Sequence, residues 1–394
     1  MTLFDLGTRT ETRVKGHSEP EFTYLNQSAR PSVYALRGIL EEWFQHFPRA
    51  AQTDLRSRFR DSSNSQHYGA FFELYVHELL IRAGYAVVVH PVLDNVNTRP
   101  DFLARNPNGA EFYVEVTLAG IPAQAAQGAD TRIAQVYDIL DRMDSPNFFL
   151  HLDVEGSPAS PPPASKLRGQ LQRWLATLDP DEISRKMQID GFDSIPKFTW
   201  RHSGWEIVIT PIAKSVEARG KSGIRPIGAV SPEAQWLQTD ADLKAALEVK
   251  ANKYGEFEIP LLIAVNVLSV HCDDIDILNG LFGQEGIVCS LAQDGSIVEQ
   301  SQTRKRNGFW YGPKGARNQT ASGALIVSNL NEWSMGVLTP ELFHNPWAKC
   351  ILNSDWWPMP QRIPDNKTGY YSKHNGKTAS EVLSIPAPWP LTWD

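Results

Sequence analysis

The chain has 394 residues, 38 basic and 45 acidic side chains, a formal net charge of −7 and 42% hydrophobic residues. A chain of this length and composition can bury a large core, which excludes a disordered polypeptide, a disulfide-stapled mini-protein and a fibrous repeat. A globally basic nucleic-acid coat is excluded too, but a local basic groove is not, because binding follows the distribution of charge rather than its sum.

The three cysteines, Cys272, Cys289 and Cys350, are far apart and form no CxxC pair. That pattern suits a reducing cytoplasm and argues against a zinc ribbon. The N-terminus is polar, without the apolar core of a signal peptide. The longest apolar runs, such as Pro260–Val265, are far short of a bilayer span. The expectation is a cytoplasmic protein with no membrane partner.

Residues 1 to about 30 read as a polar leader, followed by a helix over Val33–Phe47; together they make an N-terminal region, 1–66. Ser62–Gln66 is a polar break. Ala70–Ala83 then carries apolar residues at helical spacing, and Gly84 supplies its stop. Ala86–Val89 is a short β-branched run ended by Pro91. Phe102–Arg105 and Glu111–Leu118 are two further strands, joined by the turn signal Asn106-Pro107-Asn108-Gly109.

Downstream, helices are expected over Thr131–Met143 and Lys166–Leu178 and strands over Phe148–Val154 and Trp205–Ile212, with the proline-rich loop Gly156–Ser165 between. A helix over Leu243–Tyr254 capped by Gly255, a buried-type strand Leu261–Val267 and a short helix Asp274–Phe282 follow. From Gln300 the character changes: Trp310, Trp333, Trp347, Trp356, Trp357, Trp389 and Trp393 make seven of the 12 tryptophans. Ala324–Val327 is a further strand, and the proline-rich end, Ser384–Asp394, is expected to lie extended on the body. The resulting division is a core over 67–299 with an insertion at about 120–240, and a C-terminal Trp-rich extension over 300–394. The alternation of elements predicts an α/β chain around one mixed sheet.

Chemistry concentrates on the central hairpin. Folding it about the Asn106–Gly109 turn sets Asp101 opposite residue 114 or so, within one position of Glu115. On the third strand, Phe112, Val114, Val116 and Leu118 form an apolar face, and Tyr113, Glu115 and Thr117 form the other. A carboxylate in the middle of that second face needs compensation, and a divalent cation between Asp101 and Glu115 would provide it. Glu73, in an apolar helical turn, is the third acidic candidate, with Glu78 its competitor.

The order FFELYVHELLIRAGY, RPDF, EFYVEVT resembles the PD-(D/E)XK, or restriction-endonuclease-like, nuclease superfamily. Pro100-Asp101 stands at the "PD" and Glu115-Val116-Thr117 at the "(D/E)XK". Glu73 precedes Gly84 by eleven residues, a spacing similar to that of methyl-directed type IV restriction enzymes. The resemblance covers 68–120 well and 240–266 loosely. It implies a restriction-endonuclease-like mixed central β-sheet flanked by helices. It also implies Mg²⁺ (or Mn²⁺) held by Asp101, Glu115 and Glu73, and hydrolysis of a phosphodiester in nucleic acid, DNA foremost, in restriction or defence. Nucleases of this kind often pair to cut two strands, so a homodimer is compatible with it.

Thr117 stands in place of the family's lysine. A hydroxyl can help to position a water but brings no positive charge to the phosphate. Lys250 is the candidate replacement: it falls on the apolar stripe Leu243, Ala246, Leu247, Ala251, Tyr254, with Lys253 one turn away and Lys166 and Arg168 as further options. The competing expectation is a catalytically degenerate relative that binds nucleic acid or a protein partner without cleavage. Arg304, Lys305, Arg306, Lys314 and Arg317, interleaved with Phe309, Trp310 and Tyr311, are candidate phosphate contacts. His271-Cys272-Asp273-Asp274 is a weak metal candidate, since adjacent side chains diverge.

Overall fold

The computed structural model describes all residues except 94–97, 122–123, 222–223, 233–237, 292–296, 366–369 and 391–394. Trp393 and the last residues of the extended end therefore lie outside the described residues, as does the side chain of Cys289.

The chain opens with helices α1 (Glu21–Gln27), α2 (Pro31–His46), α3 (Arg49–Phe59) and α4 (Asn64–Arg82), then strands β1 (Ala86–Val89), β2 (Phe102–Arg105) and β3 (Glu111–Ala119). Next come α5 (Gln124–Asp141), β4 (Phe148–Gly156), α6 (Ala164–Leu175), α7 (Pro180–Asp190), β5 (Phe198–His202), β6 (Trp205–Ala213) and β7 (Ile227–Pro232). They are followed by α8 (Thr239–Ala251), β8 (Leu261–Val267) and α9 (Asp274–Phe282). Then come a hairpin of β9 (Glu285–Leu291) and β10 (Ile297–Arg304), and a short ribbon of β11 (Tyr311–Gly312) and β12 (Gly315–Ala316). The chain ends with β13 (Ala321–Ser328), β14 (Glu341–His344), β15 (Gln361–Asp365), β16 (Tyr370–His374) and α10 (Ala379–Leu383). The elements sort into two compact units. One holds Met1–Arg13, Pro20–Ile121 and Gln238–Asp394, and the other Val14–Glu19 and Pro122–Leu237.

The first unit is built on a mixed eight-stranded sheet in the order β1-β2-β3-β8-β13-β14-β15-β16. β1, β2 and β3 form an antiparallel meander, and β8 runs parallel to both β3 and β13. Helices cover both faces, giving the mixed α/β architecture the sequence predicts. On one face Phe112, Val114, Val116 and Leu118 of β3 pack with Leu262 and Ala264 of β8 and with residues of α2 and α4. On the other, Ile263, Val265 and Val267 pack with Leu243 and Leu247 of α8 and Leu281 of α9. β8 is buried along its whole length for this reason.

The N-terminal residues belong to this core. Leu3, Phe4, Phe22 and Leu25 are buried with α2 and α4, so the stretch read as a polar leader is anchored by a few apolar side chains spread thinly among polar ones. The Trp-rich segment shares the body as well: Trp310 is buried in one cluster and Trp357 and Trp389 in the other. α8 stops at Ala251, earlier than its apolar stripe suggests, and Tyr254 follows it outside the helix. α4 starts within the expected polar break, at Asn64.

The second unit carries a four-stranded sheet in the order β5-β6-β4-β7, with β4 antiparallel to β6 and parallel to β7. Its core joins Leu150, Leu152, Ile207 and Ile209 to Val136, Leu140, Leu167 and Leu171 of α5 and α6. Among the described residues, no helix is long and apolar enough to cross a membrane.

Candidate functional site

Local chemistry sets the frame of the meander. α4 ends in a Schellman motif: the Gly84 amide donates to Ile81 O at 2.9 Å and the Tyr85 amide to Leu80 O at 3.0 Å, with Gly84 at φ +94°. That turns the chain directly into β1. The β2–β3 turn is held by Asn106, whose Oδ1 accepts the amides of Asn108 and Ala110 at 2.9 Å each. The ladder pairs Phe102 with Val114, so Asp101, one residue before the first pair, is level with Glu115.

β2 begins only at Phe102, and the Val116 amide on that side has no strand partner beyond it. The Asp101 carboxylate fills the gap, accepting from Val116 N at 2.7 Å. Glu115 points to the α8 face, where it is fully buried. Its Oε2 accepts from Lys250 Nζ at 2.5 Å and its Oε1 from Lys253 Nζ at 3.3 Å. Lys250 Nζ also lies 3.6 Å from Asp101 Oδ2, so the two carboxylates converge on one ammonium. The Tyr254 hydroxyl contacts both Glu115 Oε1 and the carbonyl of Arg99.

Burial lowers the affinity of the Lys250 ammonium for its proton, but Asp101 and Glu115 outweigh that and hold its pKa above the usual lysine value. For the Tyr254 phenol burial acts in the opposite sense and, joined by the Glu115 carboxylate, drives its pKa up. Two carboxylates thus face two ammoniums, and the cluster balances its own charge. In the sequence Tyr254 stands only on the apolar stripe of α8, and its proximity to Lys250 is the one signal of its place here.

The other candidates distribute differently. Glu73 sits on α4 and pairs with Arg58 of α3 at 2.8 Å through Oε2, while its buried Oε1 has no hydrogen-bond partner among the described residues. Burial raises its pKa to about 7; Arg58 opposes the rise and Asp101 adds to it. Glu73 therefore feels Asp101 electrostatically, but its direct contact is with Arg58. Glu78 is taken up by His46 at 2.9 Å and Arg82 at 2.7 Å. Thr117 shares the Glu115 face, and its hydroxyl lies 3.4 Å from Leu118 O. Lys166 and Arg168 are exposed on α6 of the second unit. Asp273 caps α9 and Asp274 binds Arg362 at 2.5 Å, so both have structural partners.

The basic cluster divides. Arg304 is engaged by Glu285 at 2.6 Å, and Arg317 by Glu248 at 2.7 Å. Lys305, Arg306 and Lys314 are exposed, and among the described residues none of them has a carboxylate partner. Next to Tyr254 a cleft of about 440 Å³ is lined by Asn252, Tyr254, Arg317, Gln319 and Lys349, among others.

The donors at Asp101, Glu115 and Glu73 are all hard oxygens, which suits Mg²⁺ or Mn²⁺. The buried, unpartnered Oε1 of Glu73 is the kind of atom a cation would satisfy. Among the described residues no group of three or more His, Cys, Asp or Glu side chains converges to hold an ion. A cation here would rest on Asp101 and Glu115 with water completing its shell, an arrangement that fits Mg²⁺. No family model, curated protein or solved structure matches the chain.

Proposed function

We propose that the first unit is a metal-dependent phosphodiesterase acting on nucleic acid, DNA foremost, of the restriction or defence type, working in the cytoplasm. In this reading the arrangement is PD-(D/E)XK-like, with the lysine supplied from α8 instead of β3. One observation carries it: Lys250 Nζ reaches both Asp101 and Glu115, and so brings to the paired carboxylates the positive charge that Thr117 lacks.

Asp101 and Glu115 would hold the cation. When bound, such an ion polarises a phosphate oxygen and acidifies a water. Lys250 stands ready to stabilise charge building on the phosphate. Lys253 and Tyr254 hold Glu115 in place, and the Thr117 hydroxyl, on the same face, offers a hydrogen bond to a water.

A second reading has its own support. The cluster is already neutral, and a carboxylate with three donors has less need of a cation. A protein that binds nucleic acid without cutting would tolerate that arrangement. Supercoiled plasmid incubated with Mg²⁺ or Mn²⁺ separates the two. The nuclease reading expects nicking by wild type and its loss in Asp101→Ala, Glu115→Gln and Lys250→Met. Wild type that nicks under neither metal, or variants that nick as well as wild type, would refute it and leave the binding reading.

A further inference from the structure

The cleft beside Tyr254 is walled by the segment that follows α8 and by residues 316–320. Its wall at Ala316 is the β12 strand, and Ala316 pairs with Tyr311 of β11. The Arg317 stem lies against Gly312, where a Cβ would come within 2.6 Å of its Cδ; only a bare backbone leaves it that path. Tyr311 stacks on Trp347 with ring centroids 5.6 Å apart and planes 20° apart. The Arg306 guanidinium lies over Tyr311, 5.7 Å from the ring centre. Trp347 is 37% exposed, unlike Trp310, Trp357 and Trp389, which serve as core. Lys349, two residues on, lines the cleft again.

A strip therefore runs from Tyr254 through Arg317, Gln319 and Lys349 to the Tyr311–Trp347 stack, in which Tyr311 is half-buried and Trp347 is exposed while its ring also meets Phe282 at 6.3 Å. Arg306 lies over the stack and Lys314 follows Tyr311 in the same short ribbon, and no carboxylate of the described residues cancels the charge of either. Within the cleft the charge is less free: Arg317 is paired with Glu248, and Lys349 with Glu256. The free cations thus gather at the stack, where a polyanion would be met first.

We propose that this strip binds an unpaired nucleic-acid strand, with a base stacked on Trp347 and phosphates on Arg306 and Lys314. It rests on the reading of the Asp101–Glu115 site as one that acts on nucleic acid, and it names that substrate as single-stranded or locally melted. Stacking needs a free base face, which a duplex keeps inside its own stack. The alternation of planar rings and cations fits a strand better than an acidic peptide, whose charges bring no planar partner for Trp347.

Binding of a fluorescein-labelled oligothymidylate, followed by anisotropy without divalent metal, tests this apart from cleavage. Wild type is expected to bind, with a hairpin duplex competing poorly. Trp347→Ala should weaken binding about tenfold or more, and Trp347→Phe should restore most of it. Arg306→Glu with Lys314→Glu should weaken it further and flatten its salt dependence. Unchanged binding in Trp347→Ala, or a duplex that competes as well as the oligonucleotide, would overturn the proposal even if plasmid is nicked. Binding with this variant pattern and no nicking under any metal would uphold the strip and refute the nuclease reading alone.

Discussion

Replacing Lys250 by Met tests the geometry of the carboxylate cluster without requiring any activity. The substitution keeps an unbranched apolar stem and removes the ammonium that touches Glu115 at 2.5 Å and Asp101 at 3.6 Å. Glu115 has no exposed surface through which water could compensate. Breaking a buried pair from one side costs about 3–5 kcal/mol. Lys253 and Tyr254 still hold Oε1, so the lower end, about 3 kcal/mol, is expected. Glu115→Gln on the Lys250→Met background removes the stranded charge and should recover a large part of the loss, with a coupling energy of about 2 kcal/mol. Urea unfolding followed by tryptophan fluorescence measures all four corners of the cycle. A single-variant cost below about 0.5 kcal/mol, or additive effects in the double variant, would show that Lys250 and Glu115 are not in contact.

Three further outcomes are expected. Asp101→Ala deprives the Val116 amide of its acceptor, and hydrogen exchange at Val116 should lose about 1–3 kcal/mol of protection; unaltered exchange would place that carboxylate elsewhere. His77 is buried between Phe47 and Phe102, and burial lowers its pKa to about 4. Above pH 6.5 both states hold a neutral imidazole. As pH falls below 6.5 the unfolded chain takes the proton first, so stability drops until the folded imidazole titrates near 4, by about 3 kcal/mol in all. His77→Phe should remove that part of the acid slope in a pH series of unfolding curves, and an unchanged slope would count against it. Gly283→Ala places a Cβ 1.9 Å from Lys305 O at a φ of +96°, and should cost about 3 kcal/mol or more by thermal melting; a melting point like wild type would contradict the crossing of those two segments.

Much of the site's frame could be read from short-range patterns. β1, β2 and α9 fall on their expected bounds because each is delimited by its own punctuation: Gly84 before β1, the Asn106–Gly109 turn after β2, and the Asp273 cap before α9. The inward lysine was visible as a charge on an apolar stripe, and Lys250 does turn to the sheet. What escaped depends on distant partners. α3 is mostly polar and buries only Gln52, Leu55 and Phe59, so its apolar stripe is too thin to announce it. Glu73 looked aimed at the site from its apolar setting, but Arg58, from a helix the pattern did not reveal, occupies it. Tyr254 lies beyond the end of α8, and its place beside Glu115 follows from a loop path that helical spacing does not describe.

The two halves of the carboxylate cluster come from opposite ends of a long excursion of the chain. Glu115 and Lys250 are 135 residues apart, and residues 122–237, the larger part of the second unit, are threaded between them. Loop-closure entropy grows only logarithmically, by about 0.6 kcal/mol per doubling of length. The intervening module could therefore be shortened, enlarged or exchanged at small thermodynamic cost to the cluster. During synthesis, by contrast, Glu115 leaves the ribosome well before its lysine, and its carboxylate stays hydrated until α8 emerges to claim it.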